Sequence, residues 1–164
     1  MDSRTLDIKR PNQISDFAKN LKDLVVKNQL YTNIKGKNYV NVEGWQIAGA
    51  LLGIYPVVRS LENLSDESTI RYRAEVELKD STGEVVGCGI AVCTNKEAGK
   101  SNFEEYAVAS MAQTRAIGKA FRVRLGFLMK LAGYEATPFE EMVVSEENRE
   151  AKIKKKLEAL DASA

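Results

Sequence analysis

Between residues 106 and 130 apolar positions recur at helical spacing, proline is absent and alanine is frequent, which predicts one long helix. Val108, Ala109, Ala112, Ala116, Ala120 and Phe121 give it a mostly small apolar surface, suited to lying close against a sheet. Upstream, residues 12–28 place Ile14, Phe17, Leu21, Leu24 and Val25 at the same spacing, an amphipathic helix with Ser15 and Asp16 as starting caps. Residues 30–42 form two short alternating runs around Lys35-Gly36-Lys37, the pattern of a hairpin with a basic tip. A short helix is expected over 43–52, with Trp45, Ala48, Leu51 and Leu52 on its apolar face and Gly53 to end it. Trp45, the only tryptophan, is expected as a buried anchor.

Three strands precede the long helix. The first begins at Ile54 and runs towards Leu64, and a polar turn follows through Thr69. Residues 70–79 alternate, with Arg71, Arg73, Glu75 and Glu77 on one face and Tyr72, Ala74, Val76 and Leu78 on the other. Asp80-Ser-Thr-Gly83 turns the chain, and residues 84–93 return as a strand. Even alternation means that one face is covered, and the long helix is the element available to cover it. The expected class is α+β: an antiparallel β-β-β-α core with the helix across the sheet, plus the N-terminal helix and hairpin.

Beyond the long helix Ala132-Gly133-Tyr134 marks a stop, and Thr137-Pro-Phe-Glu140 has the form of a capping box. Acids dominate from 140 to 150, and Lys152, Lys154, Lys155 and Lys156 follow. This segment has little apolar content. The expected division is a core domain over 1–135 and an exposed charged tail, helical or disordered, over 136–164.

Twenty-four Lys+Arg against 23 Asp+Glu leave a net charge of +1, so the case for a polyanionic partner rests on how charge is distributed. On the long helix the distribution is one-sided. Residues 106–130 contain no Asp or Glu, while Arg115, Lys119 and Arg122 at i, i+4, i+7 stack along one face. Arg124 leaves that stripe, because two residues turn the side chain by about 200°. A cationic stripe with no acid to neutralise it points to a phosphate backbone; a solvated charged face is the plain alternative. Lys96 and Lys100 in the polar loop 94–102, and Lys35 and Lys37 at the hairpin tip, complete the candidate DNA-binding set.

Histidine is absent, so neither a Ser-His or Cys-His nucleophile nor a Cys/His zinc site can be assembled. The carboxylates show no paired catalytic pattern, and no catalytic residue, cofactor or metal is expected. Cys88 and Cys93 lie five apart on opposite faces of a strand, and two free thiols fit a reducing cytoplasm. No apolar run reaches the length of a membrane span. Residues 94–101, Thr-Asn-Lys-Glu-Ala-Gly-Lys-Ser, end like a P-loop but carry Thr94 where the first glycine belongs. They also follow a strand of an antiparallel meander, so a weak nucleotide-binding enzyme stands only as an alternative. Gly87-Cys-Gly89 lacks the later glycine of a dinucleotide fingerprint and is expected as a bend in a twisted strand.

The order of parts and three blocks resemble a known family. Tyr39-Val-Asn-Val-Glu-Gly-Trp-Gln-Ile-Ala-Gly-Ala-Leu-Leu-Gly53 is similar to the segment entering the first core helix of the Rad-fifty-two superfamily of single-strand annealing proteins. Tyr72-Arg-Ala-Glu-Val-Glu-Leu-Lys-Asp-Ser-Thr-Gly83 resembles its central hairpin, and Ala116-Ile-Gly-Lys-Ala-Phe-Arg122 the helix bearing its DNA-contacting cations. Ser-Met-Ala-Gln-Thr-Arg-Ala and Ala-Gly-Tyr-Glu bring the chain closer still to small phage-encoded annealing proteins. The likeness covers roughly residues 39–125.

That resemblance implies subunits assembled into rings or arcs, with single-stranded DNA in an outer groove, backbone inward and bases exposed. Lys119 and Arg122 match backbone-contacting cations. The lysine-arginine pair usual there is Gly118-Lys119 in this chain, and a basic position on the first core helix is Gln46. The implied function is ATP-independent binding and annealing of single-stranded DNA in homologous recombination and repair, by a homo-oligomer. A single-strand binding protein or an exonuclease is an implied further partner. The rival of another class is an interaction or scaffold module whose cationic helix pairs with acidic segments such as 140–150.

Overall fold

The computed structural model describes residues 10–142, 153, 154 and 157–159. Helix α1 (Pro11–Lys27) starts on a proline, whose missing N–H is one that a first helical turn leaves unused. Ser15 and Asp16 therefore lie inside the helix, and no side chain caps its start. Ala18, Leu21 and Val25 form its buried stripe. Strands β1 (Tyr31–Ile34) and β2 (Lys37–Val40) pair antiparallel around a two-residue turn. Lys35 and Gly36 both take positive φ there, 51° and 82°, as the tight turn that matches strand twist requires.

Helix α2 (Val42–Leu51) buries Trp45 completely, and its indole N–H donates to the Val40 carbonyl at 3.1 Å. The expected anchor is in place. Leu51, expected to face inward, is instead 48% exposed; Gly49 takes the inner side. A Cβ at Gly49 would fall 2.3 Å from the Phe121 ring, so the glycine is what admits that ring.

Strands β3 (Tyr55–Asn63), β4 (Arg71–Lys79) and β5 (Val85–Thr94) form an antiparallel sheet in the order β3-β4-β5. On β4 the inward residues Ala74, Val76 and Leu78 are fully buried and pair with Ala91, Gly89 and Gly87 of β5. The outward residues join ion pairs: Glu77 with Arg59 at 2.6 Å and Arg73 with Glu62 at 3.0 Å. Cys88 is exposed and Cys93 buried, on opposite faces as their spacing requires.

Helix α3 (Glu105–Leu131) lies across the inward face through Val108, Ala112, Ala116, Ala120 and Leu125. Its approach is set by glycine: a Cβ at Gly89 would sit 2.3 Å from the Ala116 carbonyl oxygen and 2.5 Å from the Ala120 nitrogen. The expected α+β fold, a three-strand meander under a long helix with an N-terminal helix and hairpin, is the one observed. No helix among the described residues is long and apolar enough to cross a membrane.

The helix ends in a Schellman motif, with Gly133 at φ 89° and N–H bonds from Gly133 to Lys130 O and from Tyr134 to Met129 O. The chain then runs back along α3. Pro138 is fully buried and packs against Gly118, and a helical stretch begins at Phe139. The capping box is not formed there, because Glu140 Oε1 accepts the N–H of Val42 at the start of α2, at 3.0 Å. Packed structure thus continues past residue 135 to Met142. The acidic run beyond Met142 and Lys152, Lys155 and Lys156 lie outside the described residues.

Two glycines of β5 give a matched test of this packing. Gly89→Ala drives a methyl into the α3 backbone and should destabilise by about 1–3 kcal/mol or more. Gly87→Ala meets the Leu78 side chain at 3.4 Å and the Ala120 carbonyl oxygen no nearer than 3.8 Å, an ordinary contact, and should cost less. Thermal melts that show equal losses contradict the close helix–sheet approach.

Candidate nucleic-acid interface

The loop after β5 is built from three successive tight turns. Glu97 N–H donates to Thr94 O, Lys100 N–H to Glu97 O and Phe103 N–H to Lys100 O. This winding brings the Glu97 carboxylate under α3, where it meets Arg115. The guanidinium binds it bidentately, Nη1 to Oε1 at 2.9 Å and Nη2 to Oε2 at 2.8 Å. The Thr94 N–H adds a bond to Oε1 at 3.2 Å, and Lys100 Nζ lies 3.2 Å from Oε2. Lys100 also sits over the Phe103 ring, 5.9 Å from its centre.

Arg115 and Lys100 are each only 4% exposed, so neither stands on an open face. This corrects their place in the expected DNA-binding set: both are tied to Glu97 inside the fold. Burial works to raise the Glu97 pKa, but the hydrogen bonds and charge of Arg115 and Lys100 outweigh it and hold the carboxyl below its ordinary value.

The stripe continues outward. Arg122 is 47% exposed, and its Nη1 lies 3.1 Å from Glu141 Oε2. Lys119 is half-buried and has no ion pair among the described residues. The returning segment explains where Glu141 comes from. Ala136 lies beside Gly126 and Pro138 beside Gly118, so the chain passes along the side of α3 on which Arg122 sits. The helix carries no acid between 106 and 130, yet the fold supplies two to the stripe from elsewhere, Glu97 and Glu141. The expectation of an unneutralised stripe therefore holds for Lys119 alone among the three.

Lys96 is exposed on the same loop as Glu97, with its ammonium turned out while Lys100 is turned in. Lys35 and Lys37 are exposed at the β1–β2 turn. That hairpin meets the segment that follows α3 through the Glu135 N–H to Asn38 O bond at 2.9 Å. In the P-loop-like stretch 94–101, the strand before it is paired antiparallel, and Lys100, the lysine at the P-loop position, is buried on Glu97. Among the described residues no group of His, Cys, Asp and Glu could hold a metal ion.

Sequence reasoning missed Glu97. One local signal could have found it: Glu97 and Lys100 stand three apart in a turn-forming loop, and they pair. No local signal marks Glu141 as the partner of Arg122, since 19 residues separate them. No family model, no curated protein and no solved structure matches the chain.

Glu97→Gln should destabilise the protein by about 3–5 kcal/mol at neutral pH, because it leaves buried cations without their anion. The folded pKa lies below the ordinary 4.5, so the stability it contributes is complete above that value and is lost as pH falls through the lowered one. Urea unfolding at a series of pH values should show wild type losing stability below 4.5 more steeply than the variant. Equal acid slopes in the two proteins contradict the assignment.

Proposed function

We propose that the protein binds single-stranded DNA along the outer cationic side of α3 and anneals complementary strands without ATP, as a homo-oligomer. One observation carries the reading. Lys119 and Arg122, the positions that match backbone-contacting cations in the Rad-fifty-two-like pattern, stay accessible on a helix laid across an antiparallel three-strand sheet. Lys119 faces no carboxylate among the described residues. Arg122 keeps 47% of its side chain in solvent beside Glu141, whose own side chain is 13% exposed, so a phosphate oxygen can reach the guanidinium from outside. Lys96 adds a further exposed cation beside the start of α3.

Grip on phosphates leaves base edges free to find their complement, which annealing requires. Two or three cations per protomer hold a strand weakly, and an array of protomers multiplies that grip through effective concentration. The sheet supports assembly. β3 and β5 are edge strands, and Ile90 and Val92 stand about half exposed on the uncovered face of β5. A reducing, cytoplasmic setting goes with the free thiols. A single-strand binding protein or an exonuclease belongs to the same proposal as a recombination partner. The Arg122–Glu141 pair favours a second reading, an interaction module whose cations meet acidic peptide segments.

Anisotropy titration of labelled single strands over a salt series separates the two. Lys119→Ala with Arg122→Ala should weaken binding to any base sequence and flatten the salt slope by about 0.7 log units per lost contact. Glu141→Gln should release Arg122 and tighten binding. Unchanged affinity and slope in the double variant, with the fold intact, contradict the helix as the binding surface. In a second assay the wild type should speed the pairing of complementary oligonucleotides without ATP. Absence of single-strand binding altogether favours the interaction module.

A further inference from the structure

Helix α3 covers the inward face of the sheet only in part. It packs chiefly over β5 and β4 and barely meets β3, the far edge strand. The strand register locates the gap. Val58 pairs with Val76 and Leu61 with Ala74, so all four side chains share the inward face. Val76 and Ala74 are fully buried, yet Val58 is 44% and Leu61 38% exposed. An apolar row that is buried on two strands and open on the third lacks a covering element there.

The chain holds a second open apolar row. Its described residues beyond Met142 are helical, and Ile153 and Leu157 among them are more than half exposed. Four residues apart on a helix, these two share one face and lie about 6 Å apart along the axis. The row on β3 has a similar step, because its partners Val76 and Ala74 stand two residues apart on β4, about 6.6 Å. Charge agrees with spacing. Lys152, Lys154, Lys155 and Lys156 are interleaved with that apolar pair in the sequence. At the Asn63 end of β3 stands the Glu105 carboxylate, which accepts from Asn63 Nδ2 at 3.2 Å and from the Tyr72 hydroxyl. Glu104 and Glu105 are both exposed there.

We propose that the helical residues around Ile153 and Leu157 of one copy dock on the inward face of β3 of a second copy. Ile153 and Leu157 lie against Val58 and Leu61, and the neighbouring lysines turn towards Glu104 and Glu105. Among the described residues of a single chain both rows stay open, so the contact forms between copies. The two surfaces differ, which makes the contact heterologous: each copy gives a helix and receives one. Such a contact repeats until its rotation closes a ring or leaves an open array. The inference rests on the proposed homo-oligomer and gives it an interface. It uses none of Lys96, Lys119 or Arg122, so the cationic side of α3 stays available to a strand.

The test weighs the full chain by light scattering over a concentration series. Wild type should form assemblies larger than a dimer. Leu157→Glu, which spoils the helix, and Leu61→Lys, which spoils the strand face, should each weaken assembly by about tenfold or more. Mixed in equal amounts, the two variants should form a one-to-one dimer and stop there, since each pair keeps a single intact interface. A wild type that stays monomeric, or assembly unchanged in either variant, overturns the proposal. A cross-link needs no loss of assembly: Leu61→Cys with Leu157→Cys, in a Cys88→Ser background, should give a ladder of disulfide-linked multimers with oxidised glutathione. A bond within one copy, or no bond, overturns it. Anisotropy with a labelled oligonucleotide on the same samples keeps the two readings apart. A monomer that binds single strands overturns the interface alone; assembly through it without strand binding overturns the strand reading alone.

Discussion

One carboxylate allows α3 to close over the end of the sheet. Glu97 accepts hydrogen bonds on both oxygens, from Arg115, Lys100 and the Thr94 N–H, and so compensates two cations that are almost wholly buried. Either cation alone in that position carries a desolvation penalty of several kcal/mol. The bidentate fork also fixes geometry, holding the loop after β5 against the first half of α3. Lys96, one residue before Glu97, is left exposed, and Lys100, three residues after it, is held inward.

The packing below α3 decides what is left above it. An alanine seam on the helix and Gly89 on β5 bring the two backbones together, while Gly49 admits the Phe121 ring from the other flank. With that side filled, the remaining cations divide by height along the helix. Arg115 sits beside the loop and is taken inside; Lys119 and Arg122, one and two turns on, meet solvent. The returning segment makes the division sharper. Its Pro138 is buried on Gly118, its Glu140 closes the start of α2, and its Glu141 reaches Arg122. Internal ion pairing and the proposed strand binding thus draw on the same row of side chains, and burial separates them: Arg115 is committed inside, whereas Arg122 keeps 47% of its side chain in solvent.

The elements themselves were legible because each announces its period locally. Residues 70–79 alternate without exception, and β4 buries Ala74, Val76 and Leu78 as that alternation demands. The long helix is alanine-rich and free of proline, and it runs from Glu105 to Leu131. What stayed hidden were partners distant in sequence. Glu97 and Arg115 are 18 residues apart, and Glu140 reaches the start of α2 from 98 residues away. A reading confined to the helix sees no acid and infers a free stripe; only the fold brings the acids in. The same limit explains the capping box that does not form, since Glu140 finds a buried N–H of α2 in place of its own helix start. Leu51 was misplaced for a related reason. A helix face is chosen by what packs on it, and Phe121 required a glycine.

The central claim is that the cations near α3 form two populations, internal ones that hold the fold and external ones that hold a strand. Lysine acylation read by mass spectrometry, with and without a single-stranded oligonucleotide, addresses it directly. Lys96 and Lys119 should label in the free protein and be protected by the strand, while Lys100 should resist labelling in both states. Ready labelling of Lys100 in the folded protein, or a bound strand that leaves Lys119 fully reactive, would contradict the account.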